Sequence, residues 1–243
     1  MSQEDQPQSH IERLSVELLR MVVCALPDVA TLQSVVLSCP TFYLAFREAE
    51  KSITTAVLFN QIDVNLWPDA AAAFESSSLE SRLPDGQHDI KSFITNYISL
   101  RPTLPRAWLL RSARRVGGLQ TCISQLALRF TTEAMACDPL TEDQASPPPT
   151  PQEVCRLHRA FYRFEIYCNI FRDSSRAQTA LVRNQYDLFF RDFTSCEIEQ
   201  LGCIHDFLTR LLWPGEFEFP AGPPIQSTKQ DRREQKRGQT ESL

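Results

Sequence analysis

Cys155 and His158 stand three residues apart, and Cys203 and His205 two apart. Two such pairs carry the ligand types and short spacing of a tetrahedral zinc site. The same residues are the ingredients of a nucleophilic thiol activated by an imidazole. Their surroundings argue for neither. Cys155 and Cys203 adjoin apolar stripes, and His205 lies beside Asp206 on the polar side of its segment. No flanking signature marks Cys24, Cys39, Cys122, Cys137, Cys155, Cys168, Cys196 or Cys203, and no two of them form a CxxC pair. A reduced thiol inside an apolar helical pattern acts as a small hydrophobe. Glu197 and Glu199 form a carboxylate pair, but in the first turn of a helix they complement its dipole. We therefore expect no metal site, no cofactor and no enzymatic activity.

The other residues with chemical reach are cationic. Residues 101–118 hold Arg101, Arg106, Arg111, Arg114 and Arg115 around Trp108, without one acid. Arginine pairs with carboxylate or phosphate in a bidentate fork, so this patch could receive an acidic or phosphorylated partner. The plainer reading, which we favour, is a solvated face that balances an acidic remainder. The formal net charge is -5, which disfavours nucleic acid as a partner. The stretch KQDRREQKR at 229–237 mixes its basic residues with acids, so a solvating tail is preferred over a nuclear import signal. Ser146-Pro147 and Thr150-Pro151 have the form of proline-directed phosphorylation sites, a form that any Pro-rich loop produces by chance.

Elements must position these residues, and the composition restricts which. There are 7 glycines against 16 prolines, and neither GxGxxG nor GxxxxGK[ST] occurs. Backbone that must approach a phosphate needs glycine. Gly117-Gly118 reads as a turn. No window holds the ~18 apolar residues of a membrane span. Residues 1–10 are polar, with no secretory pattern, and are expected to be disordered. An intracellular protein with free thiols follows, cytoplasmic or nuclear.

The periodicity is helical throughout. Between 14 and 26, Leu18, Leu19, Val22, Val23 and Leu26 share a face, with Ser15 as cap and Leu14 placed to staple onto Leu19. Pro27 ends that helix. Asp28 caps a second, striped by Leu32, Val35, Val36 and Cys39, and Pro40 opens a third bearing Phe42, Tyr43 and Phe46. Further helices are predicted over 51–62, over 69–80 with Asp69 as cap, over 89–100 and over 119–137. Residues 138–151 read as an exposed Pro-rich loop. A helix of about 30 Å then carries Val154, Leu157, Phe161, Phe164, Cys168 and Phe171. Another is expected over 177–190. Thr194 and Glu197 form a capping box for the last, striped by Ile198, Leu201, Ile204, Leu208 and Leu211. Residues 213–243 lose the pattern and read as a disordered polar tail. No strand pattern and no internal repeat is present. The expected fold class is all-α: a three-helix unit at 11–47 packed on, or leading into, an irregular multi-helix body at 48–212.

The opening unit resembles an F-box. Leu14, Glu17, Leu18, Leu19, Val22, Leu26, Leu32, Cys39 and Phe42 match that family's pattern, and Ser15 stands where proline is usual. SITTAVLFNQI (52–62) and CEIEQLGCIHDFLTRLL (196–212) resemble segments that recur in a large group of filamentous-fungal F-box-like proteins of mostly unassigned function. The resemblance spans most of residues 11–212. It implies docking on Skp1, the adaptor of cullin-RING ubiquitin ligases, with the remaining helices capturing a protein substrate. Leu14, Leu18, Val22, Leu26 and Leu32 would be the apolar contacts, and Glu17 a rim contact or helix-start charge. The alternative is a self-contained helical protein in which these helices are core. Burial of the matching residues separates the two.

Overall fold

The computed structural model describes residues 10–78, 87–97, 107–136, 147–171 and 186–213. Among them every regular element is helical and no strand occurs, so the fold class is all-α. In chain order the α-helices are α1 (Val16–Cys24), α2 (Val29–Ser38), α3 (Pro40–Glu48), α4 (Glu50–Gln61), α5 (Trp67–Ser76), α6 (Gln87–Thr95), α7 (Leu110–Ala136), α8 (Pro151–Phe171) and α9 (Ser195–Leu212). Short 3-10 turns at His10–Arg13 and Val64–Leu66 precede α1 and α5, and a π turn occupies Tyr186–Phe190. The chain divides into two compact units, Met1–His205 and Asp206–Leu243. In the second, the described residues are the end of α9 and Trp213.

The helix starts follow from local chemistry. Asp28 caps α2 by accepting from the Thr31 N–H at 2.7 Å. Pro40 opens α3, where its missing N–H costs nothing. Thr194 and Glu197 form the expected capping box: Glu197 accepts from the Thr194 N–H at 2.9 Å, and the Glu197 N–H donates to the Thr194 hydroxyl at 3.3 Å. A second box joins Thr150 to Glu153 by the same two bonds, at 2.7 and 3.3 Å. It starts α8 inside the stretch read as loop.

The first unit has two linked cores. In one, α1 packs on α3 and α4, while α2 packs on α3, α4 and α7. Its centre is Val23, Leu32, Val57 and Leu58, all fully buried. The other joins α5, α7 and α8. There α5 is alanine-rich, and Asn169 of α8 donates to Ser76 Oγ at 3.2 Å. Tyr162 of α8, fully buried, donates to Gln120 Oε1 of α7 at 2.6 Å. Trp67 connects the two, its ring 4.7 Å from Phe59 of α4 and 6.4 Å from Trp108.

Three expectations need correction. The Gly117-Gly118 pair is not a turn but lies within α7. Gln61, at the end of α4, reaches across this point. Its Nε2 donates to the Gly117 carbonyl at 2.9 Å, and its Oε1 accepts from the Val29 N–H at 3.2 Å. A Cβ on Gly117 would stand 2.7 Å from that Oε1 and 3.2 Å from a Val29 methyl. One on Gly118 would meet nothing within 4 Å. Gly118→Ala should therefore stabilise the chain by about 0.5–1 kcal/mol through helix propensity. Gly117→Ala should destabilise it by about 1 kcal/mol, because displacing Gln61 outweighs the same gain. Chemical denaturation of both variants checks the opposite signs.

Second, Asp69 does not cap α5. That helix begins at Trp67 with Pro68 in its first turn, and Asp69 is buried one residue further on. Third, the buried face of α8 is turned from the expected stripe. It runs through Ala160, Tyr162, Arg163 and Ile166 as well as Phe161, while Val154, Leu157, Phe164, Cys168 and Phe171 are half-buried. Of the helix expected over 177–190, only the π turn is described. Residues 1–9 and 214–243, the first part of the Pro-rich stretch, Arg101 and Arg106 lie outside the described residues. No helix among the described residues is long and apolar enough to cross a membrane.

Candidate functional site

Helix α1 carries a broad apolar band, and the fold covers one side of it. Leu19 and Val23 point into the core and are 3 % and 0 % exposed. Leu14, Leu18, Met21 and Val22 are 38, 47, 67 and 48 % exposed. Spacings of four and three place Leu18, Met21 and Val22 on one side of the helix; Leu14 just before its N-cap and Ile11 in the preceding 3-10 turn are exposed as well. Leu26 is half-buried at its end. Leu32, expected among the surface contacts, is 0 % exposed. It belongs to the inward stripe of α2 with Val29 and Val36, so it is core and presents nothing to a partner.

Polar bonds tie the helix to α3 and α4. Arg20 ion-pairs with Glu48 of α3 and donates from Nε to the Ala45 carbonyl at 3.3 Å. Asn60 of α4 donates to the carbonyls of Cys24 and Leu26, each at 2.8 Å. These carbonyls are acceptors that a helix end leaves unpaired. Ser15 occupies the N-cap position at φ -65°, ψ 155°, without a side-chain bond to the first-turn N–H groups. A φ near −65° is what a proline ring imposes, so the backbone here already has proline geometry. Glu17 is exposed. Its own backbone N–H and the Ser15 hydroxyl hold its carboxyl below the usual range.

The arginine patch separates into parts. Arg115 lies over the Phe74 ring, 5.4 Å from its centroid, and donates to Ser77 Oγ at 3.2 Å. Trp108 is buried against Phe74 and Trp67. Arg111 and Arg114 are exposed on the first two turns of α7.

A network without a sequence signature lies where α5, the residues just after α6, α8 and the start of α9 converge. Asp69 accepts from the Tyr97 hydroxyl at 2.6 Å and pairs with Arg159 at 3.4 Å. Arg163, 5 % exposed, donates to Glu197 at 2.7 Å and lies over the Phe193 ring at 4.7 Å. Asp69, Tyr97, Arg163, Phe193 and Glu197 border a cleft of about 160 Å3. Burial, then the Asp69 charge, pushes the Tyr97 hydroxyl far above the usual tyrosine range. Burial opposes ionisation of Glu197, but the Thr194 N–H and the Arg163 guanidinium prevail and hold its carboxyl at about 2. Its charges pair with one another, so the network locks helices together. Spacing gives no sign of it, because its members come from distant parts of the chain.

Cys155 is half-buried on α8 with its sulfur 4.0 Å from the Arg159 guanidinium, and burial raises its thiol. His158 is half-buried on the same helix, and Cys203 is exposed on α9. No group of three or more His, Cys, Asp or Glu side chains placed to hold a metal occurs among the described residues. In comparisons with known proteins, no family model, no curated protein and no solved structure matches the chain.

Proposed function

We propose that the chain is a non-catalytic adaptor of the F-box kind, which docks through the outward face of α1 on Skp1 and offers its other helices to a protein substrate of a cullin-RING ubiquitin ligase. The observation that carries this reading is the exposed apolar set of Leu18, Met21 and Val22 on α1, with Leu14 just before it, beside Leu19 and Val23 that are already packed. The part of an apolar helix band that the fold leaves in water is what a helix-in-groove partner covers. The proline-like backbone at Ser15 supports it further, since the one departure from the family pattern leaves the entry to α1 with the same geometry. A second reading, a self-contained helical protein, draws support from the burial of Leu19 and Leu32, two residues of the same pattern.

The test is a pull-down with recombinant Skp1. Deleting the opening helices is unsuitable, because Leu19, Val23, Leu32, Val36 and Phe46 are core. Leu18→Asp with Val22→Asp alters exposed positions only. The double variant should keep its helical circular dichroism and its melting temperature within a few degrees, and lose Skp1 binding by more than tenfold. Equal binding by both forms would place the Skp1 contact elsewhere than the α1 face, and binding by neither favours the self-contained reading.

A further inference from the structure

A second surface, sharing no residue with the α1 strip, lies where α2, α3 and the start of α7 meet. A pocket of about 260 Å3 opens there, floored by Val36, Phe46 and Leu110. Leu37 and Tyr43, 73 and 47 % exposed, stand at its mouth. Arg111 and Arg114 line another side. Sites for cofactors and drug-sized ligands run to roughly 300–1,000 Å3. This one is smaller, of a size for a single large apolar side chain.

The charge on its edge indicates what the rest of the occupant carries. Arg111 and Arg114, three apart on α7, share a face. Neither has a hydrogen bond or ion pair among the described residues. Helix α7 has no acid in its first turn, which is the reverse of what the positive end of a helix dipole favours. The nearby acid Glu50 is engaged, accepting from the Leu110 N–H at 3.0 Å. Two guanidinium groups, unpaired among the described residues, beside an apolar pocket complement an apolar anchor followed by carboxylates.

We propose that this pocket binds an acidic peptide segment of a partner protein, seating one large apolar side chain while Arg111 and Arg114 pair with the carboxylates next to it. Arginine forks suit carboxylates geometrically, and paired guanidinium groups suppress basic competitors. The anchor supplies most of the affinity, and the charges supply selection and salt dependence.

Fluorescence anisotropy with the full chain tests this. The probe is a labelled peptide with one phenylalanine flanked by glutamates. The controls replace the phenylalanine by alanine, the glutamates by glutamines, or one glutamate by phosphoserine. Saturable binding is expected to the first peptide at low ionic strength. It should weaken about tenfold for either the alanine or the glutamine control, and about tenfold again in the Arg111→Glu, Arg114→Glu double variant. Both positions are exposed, so circular dichroism should be unchanged. Tighter binding of the phosphoserine peptide alone would replace the carboxylate ligand by phosphate. Absence of saturable binding, indifference to the glutamine exchange, or full binding by the double variant overturns the proposal. Skp1 binding by that variant is expected to be normal, so the two sites fail separately.

Discussion

Arg163→Ala is expected to destabilise the folded chain by about 3 kcal/mol. Removing one member of a buried ion pair generally costs about 3–5 kcal/mol, because the partner is left charged without compensation. The lower end applies because the Glu197 side chain is 29 % exposed and water can take over part of its solvation. The substitution also removes the guanidinium from the Phe193 ring. The pH dependence carries the same signature. Glu197 is held at about 2, below its ordinary 4.5. A depressed carboxyl contributes stability that is fully present above the unfolded value and is lost as pH falls through the folded one. The native chain should therefore lose this contribution between about pH 4.5 and 2. The Arg163→Ala variant should show a flatter profile across that window. Urea denaturation at pH 7 and through that window measures both. Equal stability of the two forms at pH 7 would mean that the network is not a lock.

The second large effect contrasts two leucines of the same family pattern. Leu32→Ala should cost about 3 kcal/mol, within the ~2–5 expected when a fully buried leucine is truncated. Leu18→Ala should cost about 0.5 kcal/mol or less, because nearly half its surface is already in water. Binding should respond the other way: Leu18→Ala weakens Skp1 capture in a folded chain, whereas Leu32→Ala lowers the melting temperature and affects capture only where the chain unfolds. Comparable destabilisation by both would mean that α1 is buried on both sides in solution.

Much of the fold is legible in the sequence, and the misses have physical causes. The helix class, the Asp28 cap and the Thr194–Glu197 box are local features, set by period and by side chains a few residues apart. Direction is harder. Leu18, Leu19, Val22 and Val23 form one broad apolar band on α1, and period alone does not say that neighbours cover Leu19 and Val23 and leave Leu18 and Val22 in water. That division depends on α3 and α4 approaching from one side. Gly117-Gly118 suggests a turn because glycine weakens helices, yet here the missing Cβ makes room for Gln61, some 56 residues away. Asp69 resembles a cap, but Pro68 two residues into α5 was the better marker of the helix start. The Thr150–Glu153 box has the same signature as the Thr194–Glu197 box, but the prolines around it give the stretch the composition of a loop. The Asp69–Tyr97–Arg159 and Arg163–Glu197 pairs join residues 28 to 90 apart, beyond any local pattern.

Hydrogen–deuterium exchange of the chain with and without Skp1 tests the central claim most directly. The prediction is added protection concentrated in residues 11–26, the segment bearing Ile11, Leu14, Leu18, Met21 and Val22, with α5 and α8 unchanged. Exchange in 11–26 that is identical with and without saturating Skp1 would contradict it and leave the exposed strip without the partner proposed here.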